Sequence, residues 1–205
     1  MQGVANGFYR LSEWVMRLAY LNLLWIAFTF LGLAIFGFMP ATTAMFAIVR
    51  KWQRGDEDFS IFFTFWSVYK KDFKSVNIIG VVLFLLGYCL SIEFQILTSQ
   101  TELIYYLARF GVIAQFILYS IVVAYFFPIF VHFKLSKKDY FKWAFIIGLS
   151  HPILTVVLLG LLTFLYFIII KTIPAVLFFF GGSVTAFILM WGVSLTFSKL
   201  EENKV

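Results

Sequence analysis

Five stretches of this chain, residues 18–39, 76–97, 103–131, 143–170 and 175–197, run for about 20 residues or more with very few charges. As helices each is long enough to cross a hydrocarbon core of roughly 30 Å. No other feature restricts the fold so tightly. In lipid every backbone N–H and C=O must be satisfied within the protein, and an α-helix does this inside one segment. The expected fold class is all-α, a polytopic transmembrane helix bundle forming a single membrane domain over residues 1–205. Charged residues make up 13% of the chain, about half the share usual in soluble domains. No hydrophilic stretch is long enough for a separate soluble domain. A cleavable signal peptide is not expected, because the first apolar run is too long and no small-residue cleavage site follows it.

The segments between and before these runs set the details. Residues 3–17 read as an amphipathic start, with Phe8, Leu11 and Val15 on one face and Arg10, Glu13 and Arg17 on the other. Glu13 and Arg17 have the favourable i,i+4 spacing. Pro40 is expected to end the first span and open a short helix over residues 40–53, because proline suits a first turn and clashes in a helix interior. Its apolar part is about 12 residues, or roughly 18 Å. That length fits either a re-entrant half-helix or a short tilted span packed in the bundle. Arg50, Lys51 and Arg54 close it, where cations favour the helix dipole. Residues 59–74 read as a further amphipathic helix on the cytoplasmic side. Phe62, Phe65, Trp66 and Tyr69 share one face, and Lys70, Lys71 and Lys74 share the other. Such a helix suits an anionic leaflet, or its aromatic face packs on the bundle.

The net charge of +6 is concentrated between the runs, so it reads as topology control rather than nucleic-acid binding. The basic links at residues 50–74 and 134–142 fall on one side, the cytoplasm by the positive-inside rule. The links at residues 98–102 and 171–174 fall outside, and the tail from residue 199 falls inside. If the 40–53 segment returns or crosses, the N-terminus is cytoplasmic with the C-terminus and every basic cluster shares one side, which is the expected arrangement. If it does not, the N-terminus is outside.

Polar groups inside a bilayer are costly and therefore informative. Asn22, Asn77 and Gln115 are single amides suited to interhelical hydrogen bonds. Glu93 is expected to stay wet near the outer interface or to pair with Arg109 across the short link. His151 precedes Pro152 and suits backbone carbonyls freed by a kink. Cys89 is the single cysteine, so no internal disulfide forms, and its place in an apolar run suits inert packing. A functional reading would place a substrate or proton site among Asn22, Pro40, Arg50, Glu93, Arg109 and His151. No Gly-rich phosphate loop, G-x-S-x-G elbow or H-E-x-x-H occurs, so no catalytic, cofactor-binding or metal-binding residues are assigned.

The stretch F-Y-R-L-S-E-W-V-M-R-L-A-Y-L-N-L-L-W from Phe8, then F-M-P-A-T-T-A-M-F-A-I-V-R-K-W from Phe38, resembles the YesL family of bacterial membrane proteins, a group of unknown function. The R-K-W-x-R-G and F-x-x-F-W stretches are similar too. The resemblance implies a polytopic bacterial plasma-membrane protein with the lipid bilayer as its surroundings. It also implies sugar ABC transporter permease subunits as partners and an accessory role in carbohydrate uptake. It supplies no catalytic residues. A second reading of the sequence is a small solute transporter or channel, with its site at the broken helices near Pro40, His151 and Gly181-Gly182.

Overall fold

The computed structural model describes residues 2–197, with side chains from Gly7 onward. The expected charged tail, residues 199–205, lies outside the described residues. The described chain forms seven helices: α1 (Gln2–Leu31), α2 (Ile35–Gln53), α3 (Ile61–Thr98), α4 (Leu103–His132), α5 (Lys137–Ser150), α6 (Pro152–Thr172) and α7 (Ala175–Ser194). Among the described residues, α1, α3, α4, α6 and α7 are long and apolar enough to cross a membrane. The protein is an all-α, multi-pass membrane helix bundle.

Several boundaries differ from the sequence expectation. The break after the first span falls at residues 32–34, not at Pro40. Leu33 and Ala34 both take positive φ, 58° and 60°. The amide of Ile35 donates to the carbonyl of Leu33 at 2.7 Å, which closes a tight γ-turn centred on Ala34. Gly32 and Gly37 make the turn possible: a Cβ on Gly32 would strike the backbone of Gly37, and one on Gly37 would strike the carbonyl of Thr29. Pro40 lies in the second turn of α2. It removes the donor that the carbonyl of Phe36 would have used, and Asn77 Nδ2 donates to that oxygen instead at 2.9 Å.

The amphipathic start and the first span form one helix, and so do residues 59–74 and the span after them. In α3, 38 residues run unbroken from Ile61 to Thr98. The boundary expected after residue 74 does not form, because charge alone does not end a helix and no glycine or proline stands between Ile61 and Asn77. The aromatic face of this first half packs on the bundle. Phe65 and Tyr69 are buried against Phe28, with ring centroids 5.0 and 5.2 Å away. Lys70, Lys71 and Lys74 are exposed.

The run at residues 143–170 is two helices, α5 and α6, and the first begins earlier, in the basic link. Ser136 caps α5: its Oγ accepts from the amide of Asp139 at 3.4 Å and donates to the Asp139 carboxylate at 2.6 Å. Pro152 opens α6 at a position where its missing N–H costs least.

α2 sits at the centre and packs against α1, α3, α4 and α7. Ala41, Ala44, Ile48 and Val49 are fully buried, and the two small alanines let helix backbones approach closely. Phe46 stacks on Phe127 of α4 with centroids 5.4 Å apart. Trp14 meets Trp52 at 5.6 Å, Arg54 meets His132 at 3.3 Å, and the ring of His132 lies 4.3 Å from that of Phe197. These contacts gather the outer part of α1, the ends of α2 and α4, and the end of the α7 segment at one end of the bundle, together with the links 54–60 and 133–136.

Candidate functional site

That shared end carries the densest polar structure. Arg17 donates to Glu13 at 2.6 Å and to Glu57 at 2.5 Å, which ties α1 to the turn after α2. Lys51 pairs with Asp56 at 3.0 Å and lies over the ring of Phe59 at 4.0 Å. Glu57 and Asp56 of this turn are thus taken by Arg17 and Lys51. Arg50 turns instead to the end of α4, where its Nη1 donates to the carbonyl of Val131 at 2.6 Å. A guanidinium suits that place, because the last carbonyls of a helix lack partners and carry partial negative charge. Burial, and then the neighbouring Arg54, hold the Arg50 pKa below its ordinary value. Gln53 Nε2 reaches the carbonyl of Phe187 at 3.0 Å, so α2 clasps both α4 and α7 at this end.

Deeper in the bundle, Asn22 is fully buried. Its Nδ2 donates to the carbonyl of Phe178 at 2.7 Å, and its Oδ1 accepts from the amide of Ser183 at 3.0 Å. It bridges two backbone groups of α7 on either side of Gly181-Gly182. The glycines explain the close approach: a Cβ on Gly182 would come within 2.9 Å of Asn22 Oδ1.

His151 stands at the break between α5 and α6, with Nδ1 3.3 Å from the carbonyl of Ile147. The carbonyl freed by Pro152 is that of Gly148, and Thr155 Oγ1 donates to it at 2.8 Å. Tyr125 Oη lies 2.7 Å from the same Thr155 hydroxyl and adds α4 to the arrangement. Sequence reasoning passed over Thr155. A signal for Thr155 was there: a proline inside an apolar run frees the carbonyl four residues earlier, and a hydroxyl one turn onward on the same helix can reach it.

Glu93 and Arg109 are not brought together. Arg109 caps the end of α3, with Nε donating to the carbonyl of Leu97 at 3.1 Å and Nη2 to that of Gln100 at 2.6 Å. The dipole of α3 places unsatisfied carbonyls within its reach, and they take the guanidinium in place of the exposed Glu93. Cys89 is exposed on the outer surface of α3 and not packed inside. The six candidate positions therefore fall at separate places and do not converge on one site. Among the described residues no group of three His, Cys, Asp or Glu side chains could hold a metal ion.

A cavity of about 430 Å³ lies between the tip of the α1–α2 hairpin, α3 and α4. Phe36, Met39, Phe84 and Phe127 are among its walls. Its two polar lining side chains are already engaged: Asn77 with the carbonyls of Phe36 and Phe73, and Tyr119 with that of Leu83. It is a space for hydrocarbon rather than for a polar solute.

Three Bacillus subtilis (strain 168) proteins share this pattern over nearly its whole length. The chain is 36% identical to the uncharacterized protein YteU over 194 residues, covering 95% of this chain and 86% of that protein. It is 34% identical to the uncharacterized protein YesL, covering 92% of this chain and 88% of the other. It is 34% identical to the uncharacterized protein YesV, covering 97% and 95%. No solved structure matches the chain. The model of a protein family of unknown function, DUF624, matches residues 18–94, which hold the hairpin, the basic turn and nearly all of α3. With that match and three relatives aligned almost end to end, the chain belongs to the DUF624 family, in the company of YesL and its kin.

Proposed function

We propose that this protein is a non-enzymatic accessory or scaffold subunit of the bacterial plasma membrane, working beside a carbohydrate importer of the ABC type. One observation carries the reading. The main polar side chains within the bundle spend their hydrogen bonds on helix backbone, as Asn22, Asn77, Tyr119 and Thr155 do. They hold helices together and leave little for a solute to bind. The transporter reading needs Asn22, Glu93 and His151 to face a common polar path, whereas they stand at three separate places. The outer face of α6, with Ile153, Val156, Val157 and Phe164 exposed, offers permease helices a largely apolar surface. The basic end of the bundle supports an orientation with both termini in the cytoplasm. The importer as partner rests on the family resemblance.

Affinity purification of the tagged protein from native membrane in mild detergent tests this. Permease subunits of a sugar importer should co-purify, and deletion should reduce uptake of the corresponding sugar. Recovery of no permease, with uptake unchanged, overturns the reading. Solute flux through the purified protein in liposomes would replace it with the transporter reading.

A further inference from the structure

We propose that α1 and α2 form a re-entrant hairpin: the chain enters the bilayer from the basic end, turns at residues 32–34 inside the hydrocarbon layer, and leaves on the side it entered.

As a whole helix α1 is long and apolar enough to cross, but measured from its charged residue to the turn each arm is too short. Arg17, paired with Glu57 of the turn after α2, marks the water boundary on the first arm, and Arg50 marks it on the second. From Leu18 to Leu31 the first arm has 14 residues, or about 21 Å of helix. From Ile35 to Val49 the second has 15 residues, or about 22 Å. A hydrocarbon core is roughly 30 Å thick.

The long helix beside the hairpin gives an independent measure. The tip region meets α3 where Tyr69 Oη donates to the carbonyl of Phe28 at 3.1 Å, Asn77 reaches the carbonyl of Phe36, and Met39 packs on Gly80. Lys70, Lys71 and Lys74 are exposed in the first part of this zone, on a helix whose side chains lean towards its N-terminus and so carry their charges back to the basic end, which puts the turn in that half of the bilayer. Beyond Gly80, α3 continues for 18 residues to Thr98, about 27 Å further.

The turn itself is built for hydrocarbon. No residue from Phe30 to Ala41 has a polar side chain. The amides of Gly32, Leu33 and Ala34 donate to carbonyls in the last turn of α1 and that of Ile35 to the carbonyl of Leu33, so these donors are satisfied locally, as backbone in lipid must be. Leu33 and Ile35 are 79% and 80% exposed, which is costly in water and free of cost among acyl chains.

The test uses single cysteines in a Cys89→Ser background, reconstituted in vesicles of known orientation and probed with a membrane-impermeant maleimide. Asp58→Cys should react from one face and Gln100→Cys from the other. Leu33→Cys should react from neither, yet react fully once detergent dissolves the bilayer. Labelling of Leu33→Cys from the face that labels Gln100→Cys, at a similar rate, overturns the proposal. Should that variant fold poorly, Ile35→Cys labelled with a fluorophore before reconstitution gives a second reading. Lipids spin-labelled deep in the acyl chain should quench it at least twofold more than aqueous iodide does. Stronger quenching by iodide overturns the proposal.

Discussion

At the scale of single residues, the recurring event is a carbonyl that loses its donor and finds another. Pro152 frees the carbonyl of Gly148, and Thr155 takes it; Pro40 frees that of Phe36, and Asn77 takes it. The two members of each pair should therefore be energetically coupled. Thr155→Val leaves the Gly148 carbonyl and the Tyr125 hydroxyl short of a partner and should cost about 1–2 kcal/mol. In a Pro152→Ala background, where an N–H is restored, the same change should cost less by about 0.5–1 kcal/mol. A double-mutant cycle read by unfolding in detergent measures the difference, and equal costs in both backgrounds would refute the coupling. These pairings were half legible in the sequence. A proline at a known position names the carbonyl that it frees. Which side chain answers depends on packing: the sequence offers Thr155 on the same helix but gives no hint that Asn77 lies beside Phe36.

At the scale of elements, what the pattern of residues revealed depended on contrast. Apolar runs against basic links located the long spans, because lipid and water sort those residues with large energy differences. Within F-L-G-L-A-I-F-G-F-M-P there is no contrast, and proline was the strongest breaker in view. The turn instead fell eight residues before it at Gly32, because two glycines can touch there and a proline in the second turn of a helix can be served from outside. The merging of residues 59–74 into α3 has the opposite cause: contrast was present, but it marked a change of surroundings rather than an end of the helix. The γ-turn at Ala34 makes a prediction of its own. A non-glycine residue at φ 60° and ψ −65° is strained, by about 1–2 kcal/mol. Ala34→Gly should therefore raise the thermal midpoint in detergent, since its small gain in chain entropy is outweighed by relief of that strain. A lowered midpoint would show that the turn is not held in this form.

At the scale of the whole molecule, the chain closes on itself. Asn22 of α1 grips the backbone of α7, and Trp14 packs on Phe187 with centroids 5.9 Å apart. Asn22→Leu removes two hydrogen bonds and leaves a buried amide and carbonyl of α7 beside an apolar side chain. It should cost about 1–3 kcal/mol. Because the tie joins the two ends of the sequence, α7 should also become more open to proteolysis near Gly181-Gly182 while α3 and α4 keep their protection. Limited proteolysis in detergent separates this from uniform loosening, in which all helices would be cut alike.

α3 has a consequence for how such a molecule transmits force. As one unbroken helix of 38 residues it is a strut about 57 Å long, nearly twice the depth of the oily layer that it passes through. Its lysines sit near one end, and Arg109 clasps the other. A strut cannot bend freely at its midpoint, so a neighbour that tips one end swings the opposite end by a matching arc, carrying the hairpin that leans on it.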